Sequence, residues 1–226
     1  MAFIRSVVEA GIGVIDTAHL YTGGESEPII GDALSPLPSS CVVATKGGYR
    51  PGEGSPEILR AQIEQSLASL RTERIPLYYL HRVDPETPLE ASLGVIAEFV
   101  AAGRIGLVGV SEVSVEQIER ARGVVPVAAV QNKYNVSERQ HDDVVDYCAR
   151  EGMVFVPYHP LHGDHAAMAS IARSRDATPK QIALAWLLRR SPNVLPIPGT
   201  LSLDHAQENL AALDIELTDE EFEALS

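Results

Sequence analysis

The sequence predicts an α/β fold of the (β/α)8 TIM-barrel type, and three observations support this prediction. Apolar strand segments and amphipathic helices alternate along almost the whole chain, which is typical of a parallel sheet covered by helices. Seven strand segments are present, and they are apolar throughout rather than at every second residue. Polar groups stand at the ends of several strands, as in barrels. A doubly wound sheet is the alternative, but no G-x-G-x-x-G turn follows the first strand.

The first half of the chain contains four of these strand segments. Helical spacing of apolar residues predicts a helix over 2–10 that ends at Gly11. Ser55 is placed to cap a helix in which Leu59, Ile63 and Leu67 recur at four residues. The predicted strands of this half are 13–18, 41–46, 76–81 and 105–110, and its further helices are 25–34, 56–70 and 89–102.

The second half repeats the same unit. Ser114 is predicted to cap a short helix that runs to residue 122. The remaining predicted strands are 127–130, 153–157 and 193–197, and the remaining helices are 137–150, 166–173, 179–190, 204–213 and 219–225. A helix between successive strands is the connection that parallel strands need.

Length and composition limit the possible functions. The 226 residues, 45% of them hydrophobic, are enough for one sizeable core, so a single domain over 1–226 is expected. A net charge of −13 argues against a nucleic-acid partner. Cys41 and Cys148 lack metal-ligand spacing and fit a reducing compartment. No apolar run approaches the ~20 residues of a membrane span, so a soluble, cytoplasmic protein without a membrane partner is expected. The composition favours no particular oligomeric state.

Three successive strands end in ionisable groups. Asp16 ends the first strand, with Tyr21 five residues beyond it, and Lys46 and His81 end the next two. A free tyrosine has a pKa of about 10, which a neighbouring ammonium lowers. We therefore expect Lys46 to lower the pKa of Tyr21. With His81 as a hydrogen-bond partner of a substrate oxygen, the set suits protonation of an oxyanion that forms as a carbonyl accepts hydride from a cofactor.

Further motifs accompany these residues along the chain. They are Asp16-Thr17-Ala18-x-x-Tyr21, Lys46, Leu80-His81, Gly109-Val110-Ser111, Gln131-Asn132-x-Tyr134-Asn135, Pro157-Tyr158-His159-Pro160-Leu161, Ile197-Pro198-Gly199-Thr200 and Glu208-Asn209. With these motifs the chain resembles the aldo-keto reductase family from its first helix to its last segment. The resemblance implies a (β/α)8 barrel that binds NADP(H) without a Rossmann fold and reduces aldehydes or ketones. It also implies a catalytic tetrad of Asp16, Tyr21, Lys46 and His81.

The resemblance implies a set of cofactor-binding residues as well. Ser111, Glu112 and Gln131 match the positions that hold the nicotinamide carboxamide, and Tyr158 matches the aromatic residue that stacks on the ring. The positions that hold the adenosine end of the cofactor match Pro198, Gly199, Thr200, His205, Glu208 and Asn209.

Several positions depart from the family pattern. Glu112 replaces an asparagine, and a carboxylate does not donate a hydrogen bond as an amide does. A role for Glu112 in capping the following helix is the alternative. Gly199 and His205 stand where many members have basic residues that hold the 2′-phosphate of NADP(H). We therefore expect a preference for NADPH with weaker discrimination against NADH than is usual, so that NAD(H) is a second cofactor to test.

The resemblance also places a hairpin and a first barrel strand before the helix that begins here at Met1. Two explanations stay open: a start set inside a longer reading frame, or a shortened member with seven strands and an unclosed barrel. The 226-residue chain as given, without that first strand, is expected to have two apolar sheet edges and marginal stability.

Two functional classes also stay open. One is an NADPH-dependent carbonyl reductase, and the other is a cofactor-binding but weak or inactive relative with a regulatory or structural role. A metal site is a further alternative for the loop with His159, His162, Asp164 and His165. That loop contains Pro and Gly and lacks residues placed to orient metal ligands, so no metal is expected.

Overall fold

The computed structural model describes residues 1–163 and 165–225, without the side chain of His165. Two compact units are present, Met1–Val130 and Gln131–Ser226, and each is considered in turn. Among the described residues no helix is long and apolar enough to cross a bilayer.

A parallel sheet forms the centre of the first unit. Its strands are β1 (Val14–Asp16), β2 (Val42–Gly47), β3 (Ile75–Leu80) and β4 (Ile105–Ser111), paired in chain order, and they are followed in the same order by β5 (Ala129–Gln131). The pairing continues beyond β1, because Thr17 N donates to Ala44 O at 2.8 Å and His19 N donates to Lys46 O at 2.9 Å. The carboxyl ends of β1 and β2 therefore lie side by side.

One helix precedes the first strand of this unit, and the other helices connect its strands. They are α1 (Ala2–Glu9), α2 (Ser26–Leu34), α3 (Pro56–Ser69), α4 (Leu89–Ala101) and α5 (Val115–Arg122). The predicted apolar face of α3 is confirmed, since Leu59, Ile63 and Leu67 are buried. Each such side chain contributes about 1.5–3 kcal/mol of hydrophobic stabilisation. Ser114 caps α5 as predicted, accepting from Gln117 N.

Two glycines make room for the tyrosines of β3. A Cβ at Gly109 would come within 2.2 Å of the Tyr79 ring, and one at Gly47 would come within 2.2 Å of the Tyr78 hydroxyl. Both tyrosines are buried. Because Tyr79 pairs with Lys46 on one side and Gly109 on the other, its bulk packs directly beside the strand end that carries the lysine.

The second unit is mainly helical. Its helices are α6 (Asp142–Glu151), α7 (His165–Ser174), α8 (Pro179–Arg190), α9 (Leu203–Leu210) and α10 (Asp219–Ala224), with a 3-10 turn over Ala211–Asp214 after α9. Its strand β6 (Val154–Phe155) is two residues long. Trp186 of α8 is fully buried and stacks on Tyr134 at 5.9 Å.

Two predicted elements of this unit are wrong. Residues 193–197 form no strand, and only one bridge joins Phe155 to Val194, so the described residues contain six strands rather than seven. Pro192, Pro196 and Pro198 flank this bridge, and proline has no N–H to donate to a ladder.

The predicted helix over 137–150 also begins five residues late, at Asp142. The side-chain carbonyl of Asn135 accepts from Ser137 N and Glu138 N, both at 3.0 Å. These bonds hold the segment before α6 in a turn, because an asparagine that bonds nearby backbone N–H groups competes with helix formation.

Candidate active site

A buried ion pair lies at the ends of β1 and β2. The side chain of Lys46 is 0% exposed, and its ammonium donates to the Asp16 carboxylate and to Thr17 O at 2.8 Å. Burial lowers the pKa of Lys46, and the Asp16 charge opposes this shift. The lysine is therefore held in one position by a carboxylate and a backbone carbonyl from the neighbouring strand end.

Tyr21 lies next to this ion pair. It begins the 3-10 turn Tyr21–Gly24 after β1, is 37% exposed, and its ring centroid is 5.0 Å from Lys46 Nζ. Because Tyr21 is partly exposed, its phenol can meet a partner from solution.

The expectation that Lys46 lowers the pKa of Tyr21 is wrong. Burial, with a further contribution from the Asp16 charge, raises the pKa of Tyr21 to about 12, and Arg82 opposes the rise. The reason is that burial makes the phenolate costly and the Asp16 carboxylate repels it, and together these two effects outweigh the attraction of the nearby cations. Tyr21 is thus protonated throughout the neutral range.

His81 follows β3 and lies between two tyrosine rings. Its ring centroid is 6.0 Å from that of Tyr21, edge-on, and 4.8 Å from that of Tyr49. Burial, then the charges of Lys46 and Arg82, lower the pKa of His81 to about 3. The imidazole is therefore neutral at physiological pH, and its buried Nδ1 has no hydrogen-bond partner among the described residues.

Sequence reasoning missed two residues of this site, Tyr49 and Arg82. Arg82 Nη1 donates to His81 O at 2.8 Å and to Ser111 Oγ at 3.1 Å. Its guanidinium carbon is 5.3 Å from the centroid of the Tyr49 ring. The available signal was position alone, since Arg82 directly follows a strand-end histidine and Tyr49 directly follows Gly47-Gly48.

The loop that carries Tyr49 is fixed at both ends. Glu53 accepts from Tyr49 N at 3.1 Å. The buried Asp84 accepts from Gly52 N at 3.0 Å, Gly54 N at 2.9 Å and the Thr87 hydroxyl at 2.9 Å. A carboxylate that accepts several such bonds orders a turn strongly, so Asp84 ties the β2–α3 loop to the segment after His81.

Ser111 and Glu112 stand at the end of β4. Ser111 is buried, and Glu112 has a φ of 55°, a left-handed conformation that is uncommon for residues other than glycine. The helix that follows is capped by Ser114, with Gln117 completing the reciprocal bonds. The cap position is therefore not Glu112.

In the second unit, Gln131 and Tyr158 come from neighbouring segments. Tyr158 N donates to Asn132 O at 3.2 Å, and Tyr134 N donates to Tyr158 O at 3.4 Å. Gln131 is buried, and Tyr158 is half-buried. The backbone bonds thus hold Tyr158 beside the chain that continues from β5.

The residues predicted for the adenosine end surround the start of α9. Pro198 and Gly199 precede Thr200, whose hydroxyl accepts from Ser202 N at 3.0 Å, and Ser202 caps α9 by accepting from His205 N at 3.4 Å. Helix N-termini favour anions through their free N–H groups and dipole. After Arg190 the sequence has no lysine or arginine, so His205 is the basic side chain of this segment.

Glu208 and Asn209 lie in α9 itself, and Glu208 has a structural contact. Its side-chain carboxylate accepts from the Thr178 hydroxyl at 2.6 Å, and its backbone carbonyl accepts from Gln181 Nε2 at 3.0 Å. Because Thr178 caps α8, Glu208 joins the two helices with one carboxylate oxygen. Asn209 is half-buried.

The alternative of a metal site falls partly outside the described residues. Asp164 and the side chain of His165 are not described, and the rings of His159 and His162 are 4.9 Å apart. Within the described part of the chain, no three His, Cys, Asp or Glu side chains are grouped to hold a metal ion.

Comparison with known proteins gives consistent matches to one family. The model of the Aldo/keto reductase family matches residues 1–167 and 164–226. An uncharacterised oxidoreductase of Schizosaccharomyces pombe is 37% identical over 100% of this chain and 77% of its own length. Pyridoxine 4-dehydrogenase of Escherichia coli is 35% identical over 96% of this chain and 82% of its own length.

Solved structures show the same likeness. A thermostable aldo-keto reductase crystallised with the inhibitor epalrestat has a TM-score of 0.92 at 32% identity, covering 99% of this chain and 85% of the other. An aldo/keto reductase of Klebsiella pneumoniae, crystallised with NADP and acetate, has a TM-score of 0.86 at 30% identity, covering 99% and 82%. A further structure from that organism contains NADPH, with a TM-score of 0.87. These likenesses confirm the predicted barrel class, whereas the single domain over 1–226 stays a prediction.

Proposed function

The chain belongs to the aldo/keto reductase family, and from this premise we propose that it reduces an aldehyde or ketone to an alcohol with NADPH in the cytoplasm. One observation carries the proposal. A buried Lys46–Asp16 ion pair lies beside a partly exposed, protonated tyrosine and a neutral histidine. Charged groups withheld from water beside an accessible proton donor are typical of a catalytic site rather than of a structural ion pair.

The residues present fit NADP(H). The buried hydroxyl of Ser111 and the buried amide of Gln131 suit a carboxamide, and the partly exposed ring of Tyr158 offers a stacking surface. The N-terminus of α9, with Thr200 and His205, suits a phosphate. Among the described residues, the buried ring nitrogen His81 Nδ1 has no hydrogen-bond partner, and such a group in a native fold calls for a functional explanation. The bound cofactor supplies the hydride for carbonyl reduction.

Tyr21 is the proposed proton donor. With a pKa of about 12, its hydroxyl is fully protonated at neutral pH. An alkoxide is a stronger base than a phenolate, so proton transfer from Tyr21 to the developing alkoxide is favourable. General acid catalysis of this kind contributes about 10²–10⁴-fold in rate.

The other three residues act on the charges that develop. The Lys46 ammonium, 5.0 Å from the Tyr21 ring and held in place by Asp16, attracts the phenolate that remains after proton transfer, although burial and the Asp16 charge outweigh this attraction in the pKa of Tyr21. The neutral His81 donates an N–H to the substrate oxygen. Its low pKa means that an imidazole, not an imidazolium, polarises the carbonyl, which leaves Tyr21 as the source of the proton.

A second candidate function is a cofactor-binding relative with weak or no activity. The raised pKa of Tyr21 favours it, because burial reduces the acidity of the donor. The absence of lysine and arginine after Arg190 also favours it, since it weakens the expected phosphate site.

Two measurements separate the candidates. NADPH consumption at 340 nm against a panel of aldehydes and ketones tests turnover, and quenching of Trp186 fluorescence by NADPH and NADH tests binding. Turnover with at least one carbonyl supports the reductase. Binding of NADPH without turnover of any member of the panel supports the second candidate, and binding of neither cofactor would refute both. Tighter binding of NADH than of NADPH would contradict the expected preference.

A further inference from the structure

Arg82 joins three consecutive strand ends of the first unit. It follows β3, donates to His81 O at 2.8 Å, and donates from the same nitrogen to Ser111 Oγ at the end of β4 at 3.1 Å. Its guanidinium also lies 5.3 Å from the ring of Tyr49, in the loop after β2. A planar guanidinium can form such hydrogen bonds and contact an aromatic ring at once, which a lysine ammonium does less well.

These contacts surround His81 on two sides. Tyr49 is 4.8 Å from His81 between ring centroids, and Arg82 bonds the backbone carbonyl of the same histidine. Tyr49 is itself 42% exposed, so a free tyrosine ring at a loop position would sample several rotamers. The guanidinium supplies a fixed partner that restricts it to the orientation in which it covers the imidazole.

We propose that Arg82 is a positioning residue of the carbonyl-reducing site, which orients His81 by joining it to Ser111 and Tyr49 and adds a fixed positive charge beside it. This inference rests on the proposed function, because positioning has an effect on rate only if the site reduces a carbonyl. Arg82 acts through His81 and Tyr49, and no contact of Arg82 with substrate is invoked.

Arg82 is one of several charged or titratable groups that surround His81 and Tyr21. The groups that face His81 and Tyr21 from the surrounding elements are Asp16 after β1, Lys46 of β2, Tyr49 of the β2–α3 loop and Arg82 after β3. Lys46, which pairs with Asp16, and Arg82 are both cations that act on the imidazole. A cation disfavours a second positive charge nearby, so Arg82 helps keep His81 neutral.

Two substitutions separate the charge from the hydrogen bonds. Arg82→Gln removes the charge and most of the donors, whereas Arg82→Lys keeps the charge but loses the planar fork. Arg60→Gln is the matched control, since Arg60 also lies over an aromatic ring, Phe99, at 5.7 Å and pairs with Glu98. Circular dichroism and the melting temperature identify variants that fail to fold. If Arg82→Gln fails to fold, Arg82→Lys alone is used to test the positioning role.

The first measurement does not depend on turnover. The Cε1–H resonance of His81, assigned with a His81→Gln variant, is followed by NMR between pH 4 and pH 8. In the parent and in Arg82→Lys it should remain that of a neutral imidazole down to about pH 4, and in Arg82→Gln it should titrate at a higher pH than in the parent. An unchanged titration in Arg82→Gln would overturn the assigned role of the charge.

The second measurement is the rate of carbonyl reduction. Loss of the guanidinium contacts in either Arg82 variant should lower kcat about 10–100-fold, the scale of a small misplacement of a catalytic group, while Arg60→Gln should retain the parent rate. Unchanged kcat in both Arg82 variants would overturn the positioning role. If the parent reduces no carbonyl, the proposed function fails, and the NMR titration still decides whether Arg82 controls His81.

Discussion

The buried ion pair gives the sharpest prediction for stability. Lys46→Met replaces the ammonium with an apolar side chain of similar length, leaving the Asp16 carboxylate and the Thr17 carbonyl without their donor. Removing one partner of a buried ion pair costs about 3–5 kcal/mol. The Asp16 side chain is 11% exposed, and water reaches it in part, so we expect the lower end, about 3 kcal/mol.

The assay is urea unfolding followed by circular dichroism, together with thermal melting. For a chain of this length, about 3 kcal/mol corresponds to a fall of about 6–12 °C in Tm. Combining Lys46→Met with Asp16→Asn removes both charges and should recover about 1–3 kcal/mol relative to the sum of the single changes.

An exposed ion pair provides the control for this cycle. The side chains of Arg60 and Glu98 are 47% and 61% exposed, so Arg60→Met should cost only about 0–1 kcal/mol. The reasoning would be refuted if Lys46→Met were as stable as the Arg60 variant, or if adding Asp16→Asn gave no recovery.

Three further changes test other parts of the site. The pKa of His81 is about 3 in the folded protein and about 6.5 in the unfolded chain. Between these values the unfolded chain binds more protons, so the free energy of unfolding should fall as the pH drops from 6.5 toward 3. In the His81→Gln variant the urea midpoint should therefore depend less on pH over this range. Asp84→Ala leaves Gly52 N and Gly54 N without an acceptor and should raise KM for carbonyl substrates by loosening the Tyr49 loop, with Asp84→Asn intermediate; steady-state kinetics equal to the parent for both would contradict this. Tyr158→Ala should weaken NADPH binding by about 0.5–1.5 kcal/mol in calorimetry, and unchanged affinity would exclude stacking.

The sequence was sufficient to predict the strand ends that form the site. Apolar segments that end in Asp16, Lys46 and His81 fix both the element type and the direction of the strands. Parallel pairing then brings the ends of neighbouring strands together. The contact between Lys46 and Asp16 therefore follows from local patterns and one topological rule.

The pKa of Tyr21 could not be predicted in this way. Its direction depends on how much of the phenol is buried and on whether Lys46 is already paired, and neither is visible in a list of charges. Tyr49 and Arg82 were missed because a loop and a side-chain rotamer, rather than periodicity, bring them to His81.

The errors in secondary structure have local causes. An apolar stretch such as 193–197 has the composition of a strand, but its flanking prolines restrict it to one bridge. Similarly, Asn135 forms a side-chain turn that delays α6, and helical periodicity carries no information on such a competing bond.

The central claim is that Tyr21 donates the proton in NADPH-dependent carbonyl reduction. Single-turnover and steady-state reduction of the best aldehyde or ketone by the parent and by Tyr21→Phe, with NADPH affinity measured alongside, tests it most directly. The account predicts a loss of about 10²–10⁴ in kcat with NADPH affinity nearly unchanged, because the substitution removes a proton donor and no cofactor contact. A Tyr21→Phe variant that keeps more than about a tenth of the parent kcat would contradict the account, since a general acid of this kind supplies at least about 10²-fold.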